Sequence, residues 1–180
     1  MEIILTKRRI NMKPLLNTIS IALFFCTIGQ CGIMDWWYTY DDDNMSIIFP
    51  CTYSSNNENY GNGMETKMVS CVEDNMNFGV AIMSFPNPYG KSMRDALQSA
   101  VKMGSQAGKK LYQKEISLNG YLGIEYLIRI FIDGGYVSAF TRIYYIKGKV
   151  YSLKILYMEN DYNKSLLDDF FISFKPEKPF

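Results

Sequence analysis

The chain contains no histidine. That absence removes Ser-His-Asp and Cys-His catalysis, imidazole acid–base work near neutral pH and every metal site built on imidazole. An excess of either charge is also missing: 19 basic and 18 acidic residues leave a net charge of +1. Such a balance gives no electrostatic footprint for nucleic acid, and no nucleic-acid partner is expected. No sequence period repeats, and no apolar run is long enough to span a bilayer comfortably. The run Asp41-Asp42-Asp43 lacks the alternate spacing and the glycine of an EF-hand loop, and it reads as a solvated loop rather than a calcium site. No metal and no cofactor are expected. Carboxylates, lysine, tyrosine and cysteine are the chemistry that remains.

What is present is enough apolar material for a core. Of 180 residues, 48% are hydrophobic, with 14 Tyr and 11 Phe, which suits one domain and a leader. The leader spans 1–31. Lys7, Arg8, Arg9 and Lys13 precede the apolar segment Ile19–Ile28, which has the length of a secretory h-region. Met12 is an alternative start, because Met12–Gly32 alone has the proportions of a signal peptide. Residues 31–180 carry 15 basic and 17 acidic residues, so the positive charge is concentrated in the leader.

Ile28-Gly29-Gln30-Cys31-Gly32 resembles a bacterial lipoprotein cleavage box, with Gln30 where a small residue is usual. The resemblance implies that Cys31 is acylated and that the mature chain is exported and held on a membrane, periplasmic or cell-surface, by its lipid. Cys26 then leaves with the leader. Cys51 and Cys71 remain, and an oxidising compartment allows a disulfide between them, worth about 3 kcal/mol for a loop of this length. Two buried free thiols are the other reading.

The second half of the chain is a run of antiparallel strands: Lys110–Leu118, Tyr121–Ile132, Tyr136–Ile146 and Lys149–Met158. Asn119-Gly120, Asp133-Gly134-Gly135 and Lys147-Gly148 turn one into the next. Asn-Gly and Asp-Gly accept the positive φ that tight hairpin turns demand. Upstream, Met45–Phe49 is a short strand ending at Pro50, Ser54–Gly63 a polar surface loop, and Met64–Asp74 with Asn77–Phe85 a hairpin; Pro86–Gly90 breaks the sheet. Ser92–Ala107 reads as a helix opened by a Ser92/Asp95 capping box and stopped by Gly108. Its apolar face is Met93, Leu97, Ala100, Val101 and Gly104, with Arg94, Gln98, Lys102 and Ser105 on a solvated face. Asp161–Phe174 is a second helix with a stripe of Leu166, Leu167, Phe170, Phe171 and Phe174. The expected fold is α+β: an antiparallel sheet of about six to seven strands with two helices packed on it, an α/β sandwich. Residues 32–44 form an aromatic and acidic linker, 45–175 a single domain and 176–180 a mobile tail.

Six stretches in this order carry a family resemblance: Met45–Pro50, Arg94–Leu97, Lys114–Tyr126, Arg142–Ile146, Val150–Leu153 and Phe170–Lys175. The succession is similar to extracytoplasmic domains of the PsbP/Mog1-like fold, including DcrB-type bacterial lipoproteins. It implies fold more than activity, since related domains include photosystem-associated subunits, a binder of a small GTPase and cytoplasmic chaperones for hydrophobic segments. It supplies no catalytic residues to carry over.

The functional expectation is an exported, lipid-anchored binding or accessory module of the cell envelope, not an enzyme, whose partner is an envelope protein or a small ligand. One alternative is a holder of hydrophobic segments using Met64, Met68, Met83, Met93 and Met103 as an adaptable apolar groove. Another is a carboxylate hydrolase built on Glu115 and Glu125. Counting outward from Asn119-Gly120 pairs Lys114 with Glu125 and Glu115 with Ile124. That puts the two carboxylates on opposite sheet faces, which is poor acid–base geometry, and makes Glu125–Lys114 a cross-strand ion pair.

Overall fold

A computed structural model of the chain describes residues 37–59, 65–84, 92–132 and 134–177. The leader with Cys26 and Cys31, and also Met64 and the Pro86–Gly90 breaker, lie outside the described residues. Among the described residues, ten strands and two α-helices run in the order β1 (Tyr38–Asp42), β2 (Met45–Phe49), β3 (Ser54–Asn59), β4 (Glu65–Glu73), β5 (Met76–Ser84), α1 (Met93–Gly104), β6 (Lys109–Leu118), β7 (Tyr121–Ile132), β8 (Gly135–Ile146), β9 (Lys149–Met158), α2 (Lys164–Ser173) and β10 (Lys175–Pro176). The fold class is α+β, as the periodicity predicts. Two antiparallel sheets carry it: a seven-stranded one ordered β3-β4-β5-β9-β8-β7-β6 and a three-stranded one ordered β1-β2-β10. Among the described residues no helix is long and apolar enough to cross a membrane.

Strand alternation sorts the core into two clusters, one on each face of the large sheet. Ile124, Tyr126, Ile128 and Ile130 of β7 meet Leu97, Ala100 and Val101 of α1. On the other face, Phe78, Val80 and Ile82 of β5 meet Ile47 and Phe49 of β2, Phe170 and Phe171 of α2, and Phe174 just past its end. Phe170 sits edge-on to both Phe49 and Phe78, at 5.4 and 5.3 Å between ring centres. The layers are therefore α1, the large sheet, and α2 with the small sheet. The buried Tyr151 of β9 ties the last two together: its hydroxyl donates to Asp42 Oδ1 at 3.1 Å and accepts from Asn44 Nδ2 at 3.3 Å.

The tight turns are where the Gly dipeptides place them. Asn119 (φ 51°) with Gly120 (φ 85°), and Lys147 (φ 46°) with Gly148 (φ 85°), occupy the left-handed region. At α1 the capping box forms, Ser92 Oγ accepting from Asp95 N at 3.2 Å and Asp95 Oδ2 from Ser92 N at 3.1 Å.

Five expectations are corrected. Part of the expected linker, Tyr38–Asp42, is a strand, because Tyr40 buries its ring in the core against Tyr53. Ser54–Asn59, expected as loop, pairs with β4 from Ser54↔Ser70 to Asn59↔Glu65. Its polar composition reflects an edge strand, with Ser54, Ser55, Asn56 and Asn57 exposed to water. The start of the tail is fixed: Pro176 is buried opposite Met45, and Glu177 N–H bonds Asn44 O at 2.9 Å. Proline is tolerated there because the strand is an edge. Helix α1 ends at Gly104 rather than Ala107, and Met93 is exposed because the buried stripe is only Leu97, Ala100 and Val101. Helix α2 begins at Lys164 rather than Asp161, since Asn163 Oδ1 caps Ser165 N and Leu166 N at 3.1 and 3.3 Å.

Candidate functional site

Three neighbouring strands build the most unusual polar cluster. Register sets Lys114 of β6 opposite Glu125 of β7, and Glu125 opposite Arg142 of β8. Glu125 is only 2% exposed, on a sheet face whose other buried residues are mostly apolar. A buried carboxylate is tolerated only when donors replace the water it loses. Here there are three: Lys114 Nζ at 2.8 Å, Arg142 Nε at 2.7 Å and Tyr112 Oη at 3.1 Å. Tyr112 shares the face of Lys114, two residues along β6, just beyond a bulge that leaves Leu111 unpaired. The Arg142 guanidinium lies 4.6 Å from the ring centre of Phe171 in α2 and 5.9 Å from that of Phe140, so cation–π attraction holds it as well as the carboxylate does.

Electrostatics decides what the cluster does. Burial pushes the Glu125 carboxyl upward, but hydrogen bonds from Lys114 and Arg142, the Arg142 charge and the Tyr112 hydroxyl outweigh it and hold it below the ordinary carboxylate range. The Tyr112 hydroxyl moves the other way, raised first by burial and then by the Glu125 charge. Glu125 is therefore ionised near neutral pH and engaged by three donors, which favours its charged form over one that carries a proton. Two cations face one anion, so the cluster keeps one unit of positive charge. That charge reaches the surface through the side chains of Lys114, 60% exposed, and Arg142, 29% exposed.

The other residues singled out from the sequence fall elsewhere. Glu115 points to the α1 face and pairs with Arg94 at 3.0 Å, so the two glutamates lie on opposite sides of the sheet. Gln98 accepts from Gln113 Nε2 at 3.2 Å, and the helix face expected to be solvated thus leans partly on β6. Cys51 and Cys71 are both buried and bonded to each other, with Cα atoms 5.8 Å apart. Asp42 lies in β1 and accepts from Tyr151; among the described residues no three acidic or cysteine side chains are grouped to hold a metal. Among the described methionines, Met68 is buried, Met83 packs against the α1-side core on the same sheet face as Met68, Met93 is exposed and Met103 is half-buried. On the same face as Met83, burial drives the amine of the half-buried Lys154 down to about 8. A polar cleft of about 390 Å³ opens between the small sheet and the end of β3–β5, lined by Asp42, Lys67, Ile82 and Lys149 among others.

Of the Glu125 cluster, sequence reasoning found the Lys114 pair and missed Arg142, Tyr112 and Phe171. The signal for Arg142 was the β7–β8 turn. Ile132 pairs with Gly135, so the loop is two residues long, and counting from it sets Arg142 beside Glu125. Starting β8 at Tyr136 instead slips the register by one and puts an isoleucine there.

No protein-family model matches the chain, and no curated protein is similar to it. Among solved structures it is similar to a Pseudomonas aeruginosa protein of unknown function, at 10% identity and a TM-score of 0.42, over 69% of this chain and 85% of that one. A Bacteroides thetaiotaomicron protein is similar at 13% identity and a TM-score of 0.44, over 74% of this chain; this chain spans 45% of that protein's length.

Proposed function

We propose that the chain is an exported, lipid-tethered binding module of the cell envelope, with the β6–β8 surface at Lys114, Arg142 and Tyr112 as its docking surface and no catalytic role of its own. The observation that carries the binding reading is Glu125 itself. A carboxylate with 2% exposure, three donors and a lowered pKa is poorly suited to act as an acid, and it fixes Arg142 and Lys114 in place. Pre-set charged groups beside the aromatic rings of Tyr112, Phe140 and Phe171 are what a recognition surface needs. The compartment rests on the basic and apolar leader, on Cys31, and on the Cys51–Cys71 bond, which persists in an oxidising environment. In this reading Cys31 carries the lipid, and the likeness to DcrB-type lipoproteins extends from order of elements to setting.

Crosslinking in intact membranes tests it. The wild-type chain is expected to capture a reproducible partner that the Arg142→Met chain loses, while both are present in equal amount in the membrane fraction. Equal capture by both chains contradicts the assignment of the face, and recovery of the chain from the soluble cytosolic fraction contradicts the setting.

A further inference from the structure

Resting on the docking reading, we propose that Arg142 and Lys114 together take one carboxylate from an acidic peptide segment of the partner. Charge balance points to this class. Two cations against Glu125 leave one uncompensated positive charge, which a carboxylate neutralises, whereas a phosphate ester with a charge of about −1.5 to −2 overshoots it.

Geometry points the same way. Glu125 Oε2 takes Arg142 Nε, so the terminal nitrogens of the guanidinium are the part of the fork left for a ligand, and the Phe171 ring, 4.6 Å from the guanidinium carbon, helps to hold the group in place. A planar fork held in this manner matches a carboxylate through two parallel bonds. Lys114, tied to the other oxygen of Glu125, adds a second donor from the neighbouring side. Glu125 is thus a positioning residue: it orients both cations and never meets the ligand. Tyr112, at the surface beside the cluster and edge-on to Phe140, offers an apolar flank for the residue next to the acid, which suits a peptide better than a free ion.

The test is calorimetric titration of the full chain with four probes. These are a blocked peptide alternating glutamate with valine, its glutamine analogue, its phosphoserine analogue, and vesicles containing phosphatidylglycerol. The glutamate peptide is expected to bind, and more weakly as salt rises. Glutamine should abolish the binding. Affinity is expected to fall at least tenfold in Arg142→Met, by less in Arg142→Lys, several-fold in Lys114→Met, and not at all in Lys149→Met, whose amine lies in the inter-sheet cleft. The milder Arg142→Lys and Lys114→Met chains carry the test if Arg142→Met does not fold. Equal binding of glutamate and glutamine peptides, preference for phosphoserine, binding of vesicles alone, or no binding by any probe each overturns the proposal. Membrane crosslinking to a partner that meets this face without an acidic segment overturns it too, and leaves the docking reading standing.

Discussion

Replacing Glu125 by glutamine keeps its shape and removes its charge. Two cations then lose their anion, and one accepting oxygen is lost from a site buried to 2% exposure. Removing one partner of a fully buried pair costs about 3–5 kcal/mol. Here Lys114 is 60% and Arg142 29% exposed, so both recover some hydration, and the glutamine carbonyl still accepts one bond. The expected loss is therefore about 2–3 kcal/mol, near the worth of one or two charge-assisted hydrogen bonds. Its pH dependence gives the sharper test. Lys114, Arg142 and Tyr112 outweigh burial and hold the folded carboxyl below its ordinary value of 4.5. A depressed acid contributes its full stability above that ordinary value and loses it as pH falls through the folded one. Urea unfolding of wild type and Glu125→Gln should show the full gap at pH 7 and a smaller one at pH 3. A gap under about 0.5 kcal/mol at pH 7, the scale of an ordinary surface substitution, refutes the reasoning. So does a gap that is the same at both pH values.

Other perturbations test other parts of the fold. Reducing Cys51–Cys71, which closes a loop across a separation of 20 residues, should lower unfolding stability by about 3 kcal/mol in urea. Lys154→Met should stabilise at pH 7 by about 1–2 kcal/mol, because the half-buried amine is charged there at a cost. That gain should fade as pH rises from about 8 towards 10.5, where wild type sheds the charge, and a pH series of urea midpoints reads it. Gly123→Ala should destabilise by about 1–3 kcal/mol in thermal melts, and more if the backbone cannot shift. Its added methyl would sit 2.6 Å from both the Ile143 carbonyl oxygen and the Tyr144 ring.

Local chemistry wrote the parts of this fold that the sequence makes legible. The left-handed Asn119-Gly120 and Lys147-Gly148 turns and the Ser92 cap are decided within four residues, and register follows by counting outward from a turn. That is why the Lys114–Glu125 pair and the opposite faces of Glu115 and Glu125 could be read in advance. What could not be read depends on distant pairing. Ser54–Asn59 has the composition of a loop and is a strand only because β4 lies beside it. Tyr38–Asp42 and Lys175–Pro176 become strands by flanking β2, more than a hundred residues apart in the chain. The Glu125 site shows the same division. One of its partners lies across a well-marked turn, another beyond a hairpin whose loop length sets the face, and Phe171 arrives from a helix that no local rule directs there.

The central claim is that the chain leaves the cytoplasm, is fastened at Cys31 and works as an oxidised docking module. Intact mass spectrometry of protein extracted from membranes tests it most directly. The mass expected is that of a chain beginning at an acylated Cys31, lighter by the two hydrogens lost when Cys51 and Cys71 join. A full-length, unacylated mass with every thiol reduced contradicts the account.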